Sequence, residues 1–414
     1  MHLQGFLGIA ALLVLAWAFS EQRKAISLRL VLSGLGLQFL FAGLLLGFPG
    51  VQGIFLGLNH LVLGLQDATQ AGTAFVFGYL GGGTAPFDSP YPQHRFILAF
   101  QALPLLLVVG ALSALLFYWR ILPVLVQGFA WILRKTLGIG GALGFAAAAN
   151  IFVGMVESPL LIRPYLRNLS RSELFALMTC GMATVAGTVM VLYASILKDS
   201  IPGALGQILS ASLISAPAAL LIAGILVPET EKLGEADLLA IPRQDKTAME
   251  ALTRGTLEAI PLFLNITAML IVFIALVSLV NSLLAFLPQV GGEVLTLQRL
   301  LGWVMAPVVW LIGIPWEEAQ TAGSLMGIKT VLNELIAYLE LAALSPEDLS
   351  ERSRLIMLYA LCGFANFGSL GILIGGLGGM VPERREEILA LGMKSILAGT
   401  LATLMTGAFA GIFL

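Results

Sequence analysis

Charge is what this sequence has least of. Of its 414 residues, 22 are Lys or Arg and 24 are Asp or Glu, 11% in all, where a soluble domain carries roughly 25%. That deficit leaves too little polar surface for a solvated globule, so a soluble enzyme or nucleic-acid-binding module is excluded. The net charge of −2, with no basic cluster, gives no footprint for nucleic acid. Cysteine is almost missing too. Cys180 and Cys362 both fall inside apolar runs, which argues against a structural disulfide, and neither has a neighbouring His to make a metal signature. His2, His60 and His94 are scattered, and no nucleophile–base set or phosphate loop is present. The longest polar stretch is about 228–258, so no soluble domain is expected.

What is abundant is apolar sequence, 58% of the residues. Runs suited to a bilayer core of ~30 Å lie near 5–19, 30–48, 97–118, 174–197, 202–227, 260–287, 355–380 and 388–412, which makes eight candidate spans. Met1 to Gln4 lacks a basic residue, and Arg23 and Lys24 come after the first run, so that run is expected to be a retained helix. Residues 50–95 are apolar but broken, with Gly81-Gly82-Gly83 and a Pro-rich stretch from Pro86 to Pro92. Residues 121–137 and 298–314 read as amphipathic helices at the interface. Trp131, Trp303, Trp310 and Trp316 read as interface anchors.

Two stretches are too short to cross. In 138–170, two apolar arms flank Asn150-Ile151-Phe152-Val153-Gly154-Met155-Val156-Glu157-Ser158-Pro159. In 315–341, two arms flank Gly327 to Glu334, with Lys329 and Asn333 inside the break. Each reads as a re-entrant hairpin, since irregular backbone at membrane depth must be buried in protein or line a cavity. The basic loops set the orientation. Arg23, Lys24 and Arg29, then Arg120, Arg134 and Lys135, then Arg163, Arg167 and Arg171, then Lys232, Arg243, Lys246 and Arg254, and finally Arg384 and Arg385 all fall inside when both termini lie outside and 138–170 does not cross.

The halves then match. Each has an interfacial helix, a hairpin ending in a Glu, a span interrupted by small residues (Gly181 to Thr188, Gly363 to Gly371) and an unbroken span. The hairpins enter from opposite faces. The expected fold is an all-α polytopic membrane protein, eight transmembrane helices plus two opposed re-entrant hairpins in an inverted-topology repeat, a plan common to secondary transporters.

Glu157 and Glu334 stand out, because a carboxylate at mid-membrane costs about 2.5–3.5 kcal/mol on insertion scales. Such a group serves an ion, a proton or a polar substrate; the plain alternative is a helix-end carboxylate, or for Glu334 a pair with Lys329. Asn366 and Ser369 supply donors and acceptors suited to a polyol such as a sugar, or else serve as helix–helix contacts. Asn150, Val153 and Thr184 offer hard oxygens suited to Na+, and equally fit ordinary helix contacts.

The stretch Asn150 to Gly154 with Glu157 and Pro159, Arg163-Pro164, Gly181 to Met190, Ala322 to Gly327, Asn333-Glu334 with Ala337-Tyr338, and Cys362 to Asn366 together resemble the concentrative nucleoside transporter family. The resemblance runs from about Leu98 to the C-terminus. It implies a bacterial inner-membrane homotrimer that imports a nucleoside with Na+, or in some members H+, by moving a transport domain past a scaffold, with no other cofactor. It assigns 1–137 and 228–314 to scaffold, loop and interfacial helices, and 138–227 and 315–414 to the two transport halves. It implies that Glu334, Asn366 and Ser369 hold the ribose hydroxyls, that Phe364 packs beside the substrate, and that Glu157 and Val189 face the nucleobase. Asn150 and Thr184 by side chain, and Val153 and Val185 by carbonyl, would hold Na+. One departure stands out. Where the family has Gly-Gln-Thr/Ser-Glu, this chain has Gly154-Met155-Val156-Glu157, so two base-binding polar side chains are apolar here. A modified or non-nucleoside ribosyl substrate, or H+ coupling, is the alternative within transport; a receptor or a channel is the alternative outside it.

Overall fold

The computed structural model describes residues 2–87, 96–231 and 245–414; His94, Lys232, Arg243 and the end of the Pro-rich stretch lie outside them. The described residues are helical nearly throughout. In chain order, α1 (His2–Ala18) and α2 (Leu28–Gly47) are followed by α3 (Pro49–Phe77), α4 (Leu98–Gln101), α5 (Leu105–Tyr118) and α6 (Ile121–Leu137). The first short pair is α7 (Gly141–Asn150) and α8 (Glu157–Leu161); α9 (Arg171–Ala183) and α10 (Gly187–Leu197) form a broken helix, and α11 (Ala204–Leu226) completes the half. Then come α12 (Ala248–Leu284) and α13 (Leu297–Leu311), the second short pair α14 (Ala319–Val331) and α15 (Glu334–Ala343), the broken helix α16 (Glu351–Leu361) and α17 (Phe367–Met380), and α18 (Arg385–Phe413). The order of elements from α6 to α11 is that from α13 to α18. Six stretches among the described residues are long and apolar enough to cross a membrane: 28–47, 98–118, 171–197, 204–226, 248–284 and 382–413.

Local sequence explains where helices start. Ser170 and Glu173 form a reciprocal capping box on α9, at 3.0 and 3.1 Å. Asn333 caps α15 by accepting from Ile336 N–H at 2.9 Å, and Asn366 caps α17 by accepting from Ser369 N–H at 2.7 Å. The polar residues at the breaks are therefore also what restarts the helices.

Tertiary packing moved several expected boundaries. Residues 49–77 form one continuous 29-residue helix, not a broken stretch. Its Gly53, Gly57, Gly64 and Gly72 face open space, and each costs only about 1 kcal/mol in a helix interior; Pro49 sits in the first turn, where proline is tolerated. The break in the second hairpin shrinks to Leu332-Asn333, because α14 continues through Lys329 to Val331. The interruptions narrow to 184–186 and 362–366. The sixth expected span begins earlier, at Ala248, where the Thr247 hydroxyl accepts from Glu250 N–H at 3.1 Å.

The bundle has two distinguishable ends. At one, the loop after α1 meets the start of α9 and α18: Glu21 pairs with Arg171 at 3.0 Å and with Lys394 at 2.7 Å. Arg384 there donates to the Leu166 and Leu169 carbonyls beyond α8, and Arg167 pairs with Glu383. At the other end, Gln4 donates to the carbonyls of Trp310 and Ile314 before α14. Arg352 donates there to Gly313 and Gly411. The two short pairs thus open at opposite ends, and both termini lie at the second.

α9, α11 and α18 fill the centre and are mostly buried, while α1 and α2 lie against α11 and α18. Helices α5 and α12 pair closely with one another. A Cβ on Gly255 would sit 2.6 Å from the Gly110 carbonyl and from the Ala114 Cβ; small residues let the two backbones touch. The remaining faces of α12 are largely exposed, with Ile271, Ile274, Leu279 and Leu283 outward.

Candidate functional site

Two polar crossings lie inside this apolar core, one in each half. In the first, the tip between α7 and α8 meets the break between α9 and α10. Asn150, the last residue of α7, is buried, and its amide donates to Thr184 Oγ1 at 2.6 Å and to the Cys180 carbonyl at 2.7 Å. Its Oδ1 accepts from Ser158 Oγ at 3.2 Å. Thr184 Oγ1 in turn lies 3.0 Å from the Cys180 carbonyl and 3.4 Å from that of Asn150. The Gly187 N–H donates to the Phe152 carbonyl at 3.1 Å. A Cβ at 187 would stand 2.5 Å from that oxygen, so only glycine lets tip and break touch.

The donor set suits a hard cation. The Val153 and Val185 carbonyls receive no backbone hydrogen bond from any described residue. These two carbonyls, the Asn150 amide oxygen and the Thr184 hydroxyl are hard oxygens of the kind that suit a hard cation.

At the second crossing, Glu334 opens α15 and is 4% exposed. Its Oε1 accepts from the Tyr193 hydroxyl at 2.5 Å and its Oε2 from Asn366 Nδ2 at 2.8 Å. Asn366 has both ends engaged, since its Oδ1 takes the Ser369 N–H. A carboxylate has about four lone-pair sites, more than these two donors fill, so it can also accept from a hydroxyl of a bound polyol. Val189 is buried one turn before Tyr193 on the same face of α10, and Phe364 is half-buried in the 362–366 break.

Lys329 does not pair with Glu334. Its buried ammonium donates to Thr403 Oγ1 at 2.8 Å and to the Ala360 carbonyl at 3.0 Å, the latter at the C-terminal end of α16, where a cation is favoured.

The remaining expected residues make no hydrogen bond into that cluster among the described residues. Glu157 is exposed, and its carboxylate folds back over Gly154, where any Cβ would collide with it. No hydrogen bond joins it to Glu334, Asn366 or Ser369 among the described residues. Met155 is 7% exposed, with its Cβ 2.9 Å from where a Gly181 Cβ would stand. The Val156 methyls lie 3.1 Å from the corresponding point at Gly376. At both positions the chain packs the tip against α9 and α17.

Tyr193 is the residue that sequence reading passed over. The available signal was a phenol in an apolar span four residues after Val189; a buried phenol nearly always finds a hydrogen-bond partner. Ser158 and the Cys180 carbonyl were equally silent, being ordinary groups made special by what faces them.

Residues 207–411 match the family described as Na+ dependent nucleoside transporter C-terminus, residues 7–80 its N-terminal counterpart, and residues 99–200 a nucleoside-recognition Gate family. The nucleoside permease NupC of Helicobacter pylori is 37% identical over 98% of this chain and 96% of its own. Sodium/nucleoside cotransporter 2 of Rattus norvegicus is 33% identical over 99% of this chain and 62% of its own. The structure of CNTnw in an inward-facing, substrate-bound state superposes with a TM-score of 0.91 at 36% identity, covering 100% of this chain and 98% of that one. With the paired polar crossings and the matched half-by-half order of helices, these likenesses show that the chain belongs to the concentrative nucleoside transporter family and is a transporter, not an enzyme.

Proposed function

We propose that this protein imports nucleosides together with Na+ by alternating access. The observation that carries the reading is the matched pair of crossings: hard oxygens around Asn150 and Thr184 in one half, and a buried carboxylate with its Asn366 partner in the other. In this reading Asn150, Val153, Thr184 and Val185 bind the ion. Glu334, Asn366 and Ser369 bind the ribose, Phe364 flanks the substrate, and Glu157 and Val189 face the base. Met155 and Val156 shape that end of the site without offering hydrogen bonds. Helices interrupted at matching places of two repeats are where transporters of this architecture bind substrate and ion.

The eight-span topology with both termini outside is supported by the two short pairs opening at opposite ends and by the clustering of Arg167, Arg171, Arg384 and Lys394 at one of them. Helices α1 and α2 lie against α11 and α18 of the transport halves, and in this reading the α5–α12 pair, which packs on α10 through α5, is the element past which the rest slides. The outward apolar face of α12 is then covered by lipid and by the other protomers of a trimer. CNTnw has been solved in inward-facing, outward-facing and intermediate states, the range an elevator cycle requires.

Uptake of labelled adenosine and uridine into proteoliposomes, with and without an inward Na+ gradient, tests the reading. Uptake that collapses without Na+ supports it. Uptake driven by a pH gradient alone transfers coupling to a carboxylate, and no uptake by folded protein assigns the ribose set to another ribosyl compound.

A further inference from the structure

We propose that Tyr193 is the positioning residue through which the ion site sets the substrate site. This rests on the function proposed above and extends it to how one crossing acts on the other. The two crossings share no side chain, but they share α10. That helix begins at Gly187, directly after the 184–186 break, and Gly187 is locked to the first hairpin tip by its 3.1 Å bond to the Phe152 carbonyl. Six residues later, about 9 Å along the axis at ~1.5 Å per residue, Tyr193 delivers its hydroxyl to Glu334 Oε1 at 2.5 Å.

The link is stiff. α10 has no interior proline or break between these points. Tyr193 is 1% exposed, and its ring packs on Tyr338 with centroids 4.9 Å apart. Tyr338 belongs to α15, as Glu334 does, and its own hydroxyl is held by the Leu358 carbonyl of α16 at 2.9 Å. Tyr193 thus reaches from the first half into the second and grips the same short helix by both its ring and its hydroxyl. A cation drawing the Thr184 hydroxyl and the Val185 carbonyl together fixes the start of α10, and therefore the height at which the Tyr193 hydroxyl meets Glu334. With the ion absent, the break relaxes and the carboxylate loses the donor that aims it.

Coupling between two ligands is a ratio of affinities and is reciprocal. The test measures adenosine affinity of the purified full-length protein by calorimetry, in saturating Na+ and in choline, for wild type and Tyr193→Phe. The phenylalanine keeps the ring contact and removes only the hydroxyl. The wild type is expected to bind adenosine at least about ten-fold tighter with Na+, within the usual 5- to 150-fold range of allosteric coupling. In Tyr193→Phe that factor should fall below about three, while Na+ affinity measured without adenosine stays within two-fold. A purely structural or direct-contact role would weaken adenosine equally in both salts and leave the factor intact, which overturns the proposal. A wild type that binds adenosine with no Na+ effect overturns both this proposal and the Na+ reading above; a coupled wild type beside an equally coupled Tyr193→Phe overturns this one alone. Should Tyr193→Phe not fold, Gly187→Ala breaks the same link at its other end, and an unchanged factor there overturns the proposal as well.

Discussion

Replacing Glu334 by Gln is the most informative single change to the substrate site, because the surroundings dictate how the new side chain must sit. Asn366 Oδ1 is committed to the Ser369 N–H at 2.7 Å, so its Nδ2 must keep facing an acceptor. The Gln oxygen therefore takes the place of Oε2, and its NH2 faces the Tyr193 oxygen. The Tyr193 hydroxyl, which donates to Glu334 in the wild type, then accepts, and its own buried proton loses its acceptor; that cost, about 1–3 kcal/mol, offsets the gain from removing a buried charge. The ligand loses more. In the proposed site the carboxylate accepts from the two ribose hydroxyls, and a hydrogen bond to a charged acceptor is worth about 1–1.5 kcal/mol more than a neutral one. Two such bonds amount to roughly 2–3 kcal/mol, or about 30- to 150-fold in Kd. Calorimetry at saturating Na+ should show that loss for adenosine but less than about three-fold for 2′,3′-dideoxyadenosine, which has no hydroxyls to lose. Equal weakening of both ligands would mean that Glu334 maintains the shape of the site and does not bind ribose; no weakening of either would place ribose elsewhere.

Removing the Thr184 hydroxyl, 2.6 Å from the Asn150 amide, should raise the Na+ concentration for half-maximal uptake about ten-fold, the worth of one ligand bond. Thr184→Ser should stay near wild type, and an unchanged Na+ dependence in Thr184→Ala would remove Thr184 from the ion site. Met155→Gln is close to isosteric and fits the same contact at Gly181, so it should fold and shift the uridine-to-adenosine uptake ratio by adding a donor and an acceptor. If the wild type binds both equally and the variant changes neither, base reading by Glu157 and shape is wrong. Glu21 lies outside the spans, and its hydrogen bond from Arg171, with Lys394 adding to it, holds its carboxyl below the usual carboxylate range. A depressed value stabilises the fold above the ordinary carboxylate pKa and loses that contribution as pH falls through the lowered one. Glu21→Gln should therefore cost about 0.5–1 kcal/mol at pH 7, typical of partly exposed pairs; the difference in melting temperature from wild type should begin to shrink only below the ordinary carboxylate value of about 4.3 and vanish once the pH is below the lowered one. A difference that persists there would assign the effect to packing.

Much of the architecture was legible in the amino-acid order, because in a membrane the constraints are local. Apolar run length, the placement of Arg and Lys, and the Gly, Asn and Glu residues that interrupt a helix act within one segment, and they located both short pairs, both broken helices and the half-by-half repeat. The same reading brought Asn150 together with Thr184, and Glu334 with Asn366. It failed where energy depends on what lies across the gap. The glycines of 49–77 face open space and do not break their helix. Lys329 looked like a partner for Glu334 five residues on, yet a helix running to Val331 turns it to Thr403 and Ala360. Met155 and Val156 are seated against Gly181 and Gly376, residues remote in sequence. Tyr193 meets Glu334 from 141 positions away. A buried carboxylate needs donors, and the chain announces that need at Glu334 itself. Which donor answers is decided only by packing, since any buried hydroxyl within reach of the fold could have served.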